Sequence, residues 1–277
     1  MQGLGKLVTN CFSKFGLCSR KAAIRLATET GQVLVDKSAK LGRDLTTSEV
    51  ESIFKQTLPK RLRPKIITSA EQGAREWSNR TKMTIQESEG LIDNAAGCVF
   101  MAGRKKSPML INPKEIPFFN PSTVDKCALY AHELEHALEY NCRPLWIIKR
   151  KFLEPLKLLT KDKAKYHRDI NNLGLNFQLS LPQNNSNNYE QIIKELTHGN
   201  KTKIKTLKQF MDIEIPAYTT GNNVEKYANS LGLTTEGVII DKATRKTKMG
   251  LIPLEFEEKQ GNAVTIYKNA LDVLKEL

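Results

Sequence analysis

The sequence predicts an α+β protein in which a small mixed sheet packs on several helices, and three observations lead to that prediction. The 277 residues are 40% hydrophobic and 26% charged, which is the balance of an ordinary globular chain. Two short apolar runs, at 97–101 and 109–112, flank a polar connection and predict a β-hairpin. Apolar residues at helical spacing recur elsewhere, most regularly in residues 122–141.

The chain is expected to divide into two parts. Residues 1–58 predict a basic helical N-terminal region, which is broken at Gly31 and ends before Pro59. Residues 59–277 are expected to form the main domain. Ahead of the hairpin, this domain is predicted to contain a strand at 65–69 and a helix at 70–77.

The clearest predicted element is a helix over residues 122–141. Ser122 and Asp125 have the spacing of a capping box, and Pro144 requires the helix to end before it. Its apolar side chains share one side, as in a helix that packs on a core. They are Val124, Cys127, Ala128, Ala131, Leu134 and Leu138.

Shorter elements complete the prediction after a polar linker at 183–188. We expect helices at 189–197, 202–211, 213–230 and 264–277, a strand at 237–241 and an extended piece at 251–256. The chain is expected to break at Asp212, which can cap the helix that follows. Pro216 would then lie in the first turn of that helix, where proline is tolerated.

Composition excludes or disfavours several classes of protein. No stretch approaches the roughly 18 consecutive apolar residues that a transmembrane helix needs. The first 30 residues interleave basic and apolar side chains, so a secretory signal is not expected. Five cysteines without a CxxC pair predict reduced thiols and a cytoplasmic location.

The formal net charge of +13 is concentrated in two basic blocks, at 1–65 and 143–168. The first has thirteen Lys and Arg against five Asp and Glu, and the second has nine against two. Such blocks either attract nucleic acid or an anionic surface, or form a solvated basic surface that favours solubility.

The predicted helix at 122–141 carries the motif that indicates chemistry, His132-Glu-Leu-Glu-His136. Histidines at positions i and i+4 project from adjacent turns of one helical face, so both imidazoles can bind one metal ion. Glu133 lies beside the two histidines on the helix, but its side chain does not point at the metal position that they share. It could reach a water molecule at the ion, which is the position of a general base.

The segment at 131–138, Ala-His-Glu-Leu-Glu-His-Ala-Leu, resembles the active-site helix of zincin metallopeptidases, and residues 109–113 resemble the strand and loop that lead into it. The resemblance implies a zincin-like fold and a Zn²⁺-dependent hydrolase that cleaves peptide or protein substrates, with Glu133 as general base. Glu135 departs from the family, which usually has an uncharged residue at that position.

The third metal ligand and a catalytic tyrosine are expected downstream. Similarity to the gluzincin branch implies that Glu214 is the third ligand. Tyr218 lies four residues later and therefore on the same helical face, where it could donate a hydrogen bond to the oxyanion that forms during attack. Other candidates are Glu139, Cys142, His167 and His198 as ligands, and Tyr140 and Tyr166 as the tyrosine.

A second function class stays open at this point. The protein could be a non-catalytic binding module that attaches to nucleic acid or an anionic surface through its basic blocks, with a degenerate HExxH helix. Metal content and the salt dependence of binding distinguish the two classes.

Overall fold

A computed structural model describes most of the chain from residue 19 onward. The described residues are 19–81, 83–92, 97–99, 108–111, 123–142, 170, 172–174, 176–177, 180, 188–233, 246–247, 250–251 and 260–277. Several predicted features lie outside these ranges: the Ser122 cap, the polar linker up to residue 187, the strand at 237–241, most of the piece at 251–256 and the basic block at 143–168.

Helices predominate, which agrees with the predicted mixture of helices and a small sheet. The described helices are α1 (Arg20–Leu41), α2 (Thr47–Thr57), α3 (Ala70–Thr81), α4 (Ile85–Ile92), α5 (Thr123–Cys142), α6 (Tyr189–Thr197), α7 (Lys201–Ser230) and α8 (Gln260–Glu276). Helix α4 was not predicted from the sequence, and it begins at a capping box formed by Thr84 and Glu87. None of the helices in these ranges is both long and apolar enough to cross a membrane.

The predicted hairpin is confirmed, and it belongs to a mixed three-stranded sheet. The strands are β1 (Ile66–Ile67), β2 (Gly97–Val99) and β3 (Met109–Ile111), in the spatial order β1-β3-β2. Strand β3 pairs in parallel with β1 and antiparallel with β2. The edge strand β2 and the central strand β3 both contact α5, so the sheet packs on that helix. A separate two-stranded pair joins β4 (Lys246–Thr247) and β5 (Gly250–Leu251).

Helix α5 packs against both α1 and α7. The predicted core stripe is confirmed, because all six of its apolar residues are buried in one cluster that α1, α2, β1, β3, α5 and α7 share. The described part of the N-terminal region therefore contributes to the same core as the helix that carries the HExxH motif. A second cluster, rich in aromatic residues, joins α6, α7 and α8.

Gly31 does not break the first helix, so that prediction is wrong. Helix α1 continues through it from Arg20 to Leu41. A Cβ atom at Gly31 would lie 2.4 Å from Cγ2 of Val224 and 2.8 Å from Cβ of Ala131. The glycine therefore allows a close approach of α1 to α5 and α7, and its lack of a side chain serves packing rather than a turn.

The predicted break at Asp212 is also wrong. One continuous helix, α7, runs from Lys201 to Ser230 with Pro216 inside it, and its N-cap is Asn200. Asp212 and Glu214 consequently lie in the middle of a long helix, where neither a cap nor the helix dipole accounts for them.

Candidate metal centre

The polar side of α5 is as deeply buried as its core side. Every residue from 131 to 141 is buried, including His132, Glu133, Glu135 and His136. Burying charged side chains is costly unless they find partners, so this helix needs partners from other elements. The polar side chains are therefore not the solvated face of a surface helix.

The two histidines face one another across a single turn of α5. Their ring centroids are 4.9 Å apart and the rings meet edge to face, at 83°. This arrangement follows from the i, i+4 spacing, which places both side chains on one face of the helix. Both Nε2 atoms point toward α7, where they meet a carboxylate.

That carboxylate belongs to Glu214, on α7. Its Oε2 atom lies 3.5 Å from Nε2 of His132 and 3.5 Å from Nε2 of His136. Two ligands of one tetrahedral zinc ion, each about 2.0–2.1 Å from it, are separated by roughly 3.4 Å. Among the residues that the structure describes, these three form the one group of His, Cys, Asp and Glu with ligand atoms within 4.8 Å of one another. They therefore lie close enough to hold a metal ion.

The charged forms of His136 and Glu214 stabilise each other. Burial lowers the pKa of His136, but the carboxylates of Glu214, Glu133 and Glu135 outweigh that effect and raise it to about 9. Burial raises the pKa of Glu214, and the two imidazoles more than reverse this and hold it well below its usual range. Glu214 is therefore an ionised carboxylate, which is the form that binds a metal.

Glu133 lies between the histidines and the sheet. A Cβ atom added at Gly97, on the edge strand β2, would lie 2.8 Å from both Cγ and Oε1 of Glu133. Burial raises the pKa of Glu133, the imidazoles oppose that shift, and Glu214 adds to it. Its Oε2 atom has no hydrogen-bond partner within the described part of the chain. A buried carboxylate oxygen without a partner fits a group that acts on a water molecule or a substrate.

Tyr218 lies beside the predicted ligands, as its spacing from Glu214 indicated. Its ring centroid is 4.5 Å from that of His132, at 77°. On its other side it stacks on Tyr267 of α8, with centroids 5.5 Å apart and an angle of 26°. Burial raises the pKa of the Tyr218 phenol well above its usual value, so it stays a hydrogen-bond donor.

Tyr267 and Arg20 are two residues near the site that sequence reasoning missed. Helical spacing places Tyr267 on a buried face with Ala263, Ala270 and Leu274. This spacing indicates that Tyr267 packs in the core, but it does not indicate that Tyr218 is its neighbour. Nothing in the sequence connects Arg20 with residues more than a hundred positions away.

The rival candidates that the structure describes do not join the cluster. Glu139 is buried, and its Oε1 accepts a hydrogen bond of 2.9 Å from Nε of Arg20. Tyr140 is buried in α5, and His198 is an exposed residue in the left-handed conformation at the end of α6. The side chain of Cys142, and all of Tyr166 and His167, lie outside the described residues.

No protein-family model matches the chain, and no curated protein or solved structure matches it significantly. The resemblance to zincins therefore rests on the sequence at 109–113 and 131–138, and the structure shows that His132, His136 and Glu214 lie close enough to hold a metal ion.

Proposed function

We propose that the protein is a zinc-dependent peptide hydrolase with a zincin-like, gluzincin-type site. His132, His136 and Glu214 would hold the ion. The observation that carries the proposal is that one oxygen of Glu214 lies 3.5 Å from Nε2 of both histidines. Three protein ligands leave a fourth tetrahedral position open, as a catalytic zinc site requires. The sparse cysteines support a reducing, cytoplasmic setting.

A zinc ion held by these residues would supply a Lewis acid for the carbonyl of the scissile bond and would lower the pKa of a water molecule to about 7. Glu133 then acts as the general base. It accepts a proton as the water oxygen attacks the carbonyl carbon, and it returns that proton to the amine nitrogen when the C–N bond breaks. Because burial raises its pKa, Glu133 can hold the proton between these two steps.

Tyr218 would stabilise the negative charge that develops on the carbonyl oxygen. Its ring lies against His132, and a phenol with a raised pKa is a neutral donor at physiological pH. A hydrogen bond that strengthens as charge develops lowers the barrier, and loss of one such donor typically costs about 10²–10³-fold in rate. The stack on Tyr267 restricts the Tyr218 ring before substrate arrives.

Zinc content tests the metal site directly. Purified wild type should hold about one zinc per chain, and His132→Ala, His136→Ala and Glu214→Gln should each lose most of it. His198→Asn and Glu225→Gln are matched controls: the first changes an exposed histidine, and the second changes a buried glutamate on the same helix as Glu214. Near-unit zinc in a double His132→Ala, His136→Ala variant would contradict the proposed site.

A peptide-library assay tests the reaction itself. Zinc-loaded wild type should cleave peptides, and a chelator should abolish cleavage reversibly. Stoichiometric zinc without any cleavage across a broad library would contradict hydrolysis while leaving the metal site standing.

The alternative, a binding module that uses the basic blocks, has less support. Within the described part of block 1–65, several arginines are engaged by partners inside the protein, including Arg25, which pairs with Glu29. Arg20 binds Glu139, Arg43 binds Glu49, and Arg63 donates to backbone carbonyls of Lys55 and Leu58. These guanidinium groups are less available to phosphates than the sequence suggested. Binding through about eight phosphate contacts would weaken steeply as salt increases, which a titration would detect.

A further inference from the structure

We infer that Arg20 is a positioning residue for the metal site: its guanidinium ties α5 to α7 and thereby holds Glu214 against the two histidines. The inference rests on the proposed metal site and adds a residue from the N-terminal region that no metal-binding motif contains. Arg20 is the first residue of α1, directly after the N-cap Ser19.

The first contact of Arg20 is with the helix that carries the histidines. Its Nε donates to Oε1 of Glu139 at 2.9 Å, and Glu139 lies three residues after His136, on the next turn of α5. The Glu139 side chain is only 2% exposed, so its charge needs a compensating partner. Arg20 supplies that charge from α1.

The second contact is with the helix that carries Glu214. Nη2 of Arg20 donates to the backbone carbonyl of Asp212 at 3.0 Å. In a regular helix this carbonyl would accept the backbone N–H of residue 216, but Pro216 has none, and a proline ring repels the carbonyl four residues before it. The proline therefore frees a carbonyl two residues before Glu214, and Arg20 binds it.

One rigid group thus joins the two halves of the site. The guanidinium presents its donors in a fixed planar fork, so the Glu139 carboxylate and the Asp212 carbonyl are held at a set separation. Glu139 and Asp212 each lie within one helical turn of a proposed ligand. Close packing of α1 at Gly31 positions the Arg20 guanidinium. That glycine lets α1 pack closely on Ala131 of α5 and Val224 of α7.

Replacing Arg20 should weaken metal binding, because residues that do not bind the metal themselves can orient the residues that do. Residues that orient metal ligands typically change metal affinity by about 10–100-fold when they are replaced. Without Arg20, Glu139 would be a buried charge lacking this cation, and the freed carbonyl would lose this donor. Both effects would let α7 shift relative to α5 and move the Glu214 carboxylate from its place between the imidazoles.

The test compares zinc affinity in Arg20→Met, Arg20→Lys and Arg25→Met, measured by competition with a chromophoric chelator. We expect Arg20→Met to weaken zinc binding about 10–100-fold. Arg20→Lys should recover part of the loss, since an ammonium can neutralise Glu139 but lacks the planar fork. Arg25→Met is the matched control, because Arg25 is on the same helix and, among the residues that the structure describes, its ion pair is a local one, with Nε 3.6 Å from Oε1 of Glu29. It should bind zinc as wild type does.

A spectroscopic readout separates positioning from simple loss of stability. Cobalt replaces zinc, and its visible absorption reports ligand geometry. The spectrum should change in Arg20→Met and remain that of wild type in Arg25→Met. If Arg20→Met folds poorly, the double variant Arg20→Met, Glu139→Gln removes the buried charge. It should regain thermal stability while keeping the weakened affinity and the altered spectrum.

Three results decide the matter. If wild type binds zinc and the Arg20 variants bind it equally tightly with an unchanged cobalt spectrum, the role of Arg20 is structural and the inference is wrong. If wild type binds no zinc, the metal site and the role of Arg20 fail together. If zinc binds and depends on Arg20 but no peptide is cleaved, the inference holds and the proposed hydrolase fails.

Discussion

The two sides of helix α5 are both buried, but by different means. On the core side, Leu134 and Leu138 are fully buried among apolar residues, and their burial is favourable in itself. On the polar side, His132 and His136 are also buried, but their polar groups depend on Glu214 from α7. The apolar side chains of the core side could pack against many different apolar surfaces. The buried charged groups of the polar side instead need groups of opposite charge at fixed positions. Buried polar groups whose pKa values are shifted by one another are typical of functional sites.

The largest expected effect comes from the polar side. Glu133→Gln keeps the shape of the side chain but cannot accept a proton, so hydrolysis should fall by about 10²–10⁴-fold. Zinc content should be unchanged, because Glu133 is not one of the proposed ligands. Turnover of a cleaved peptide by zinc-loaded protein measures this, with Glu225→Gln as control. A variant that cleaves at the wild-type rate would exclude Glu133 as the base.

A neighbouring residue probes the core side. Leu134→Ala should lower the free energy of unfolding by about 2–5 kcal/mol, because it leaves a cavity at a fully buried position. Urea denaturation measures this, and the folded fraction should still bind one zinc per chain. Leu231→Ala serves as control, since that leucine is half exposed and should change stability by less than about 0.5 kcal/mol. Equal effects of the two variants would contradict the assigned core.

A third variant probes the close approach of α1 to α5 and α7 at Gly31. Gly31→Ala should destabilise the protein by about 1–3 kcal/mol, since the new methyl group overlaps Val224 and Ala131. Val224→Ala in the same chain should recover part of the loss. Gly90→Ala is the matched control, because a Cβ there meets nothing within 4 Å and should stabilise α4 by about 0.5–1 kcal/mol. If Gly31→Ala also stabilises, the helices are not as close as described.

The smallest expected effect concerns pH in metal-free protein. The raised pKa of His136 gives stability that is complete below about pH 6.5 and is lost as pH rises through about 9. The lowered pKa of Glu214 gives stability that is present above about pH 4.5 and is lost as pH falls further. Chelator-treated protein should therefore unfold more easily in urea at pH 9.5 than at pH 6.

The zinc-bound form should show the opposite trend, because protons compete with the ion for the imidazoles and zinc affinity rises with pH. His136→Gln should flatten the alkaline change in the metal-free protein. An unchanged slope in that variant would show that another group causes it.

Sequence alone predicted the features that depend on local spacing. The hairpin strands, the core stripe of α5 and the shared face of His132 and His136 follow from periodicity over a few residues. The position of Glu214 came from the resemblance to gluzincins, and the structure places its carboxylate next to both imidazoles, as that resemblance implied.

The two wrong predictions share one cause. Gly31 and Pro216 are ordinary helix breakers, and local propensity favoured a break at Gly31 and near Asp212. Tertiary packing reverses both: Gly31 is a point of close approach between helices, and the carbonyl freed by Pro216 is bound by Arg20. Arg20 and Tyr267 were missed because their partners are far away in sequence, where spacing carries no signal.

The Arg20 contacts also set when the site can first exist during synthesis. Arg20 and Asp212 are 192 residues apart, and Glu139 lies 119 residues from Arg20. At roughly 5–20 residues per second, a ribosome needs about 10–40 s to travel from Arg20 to Asp212. In the later part of that interval, once α5 has been made, its histidines have no Glu214 to contact and its carboxylates must stay hydrated. A nascent chain therefore carries the HExxH sequence before Glu214 is available, and the proposed metal site stays incomplete until most of the protein has been made.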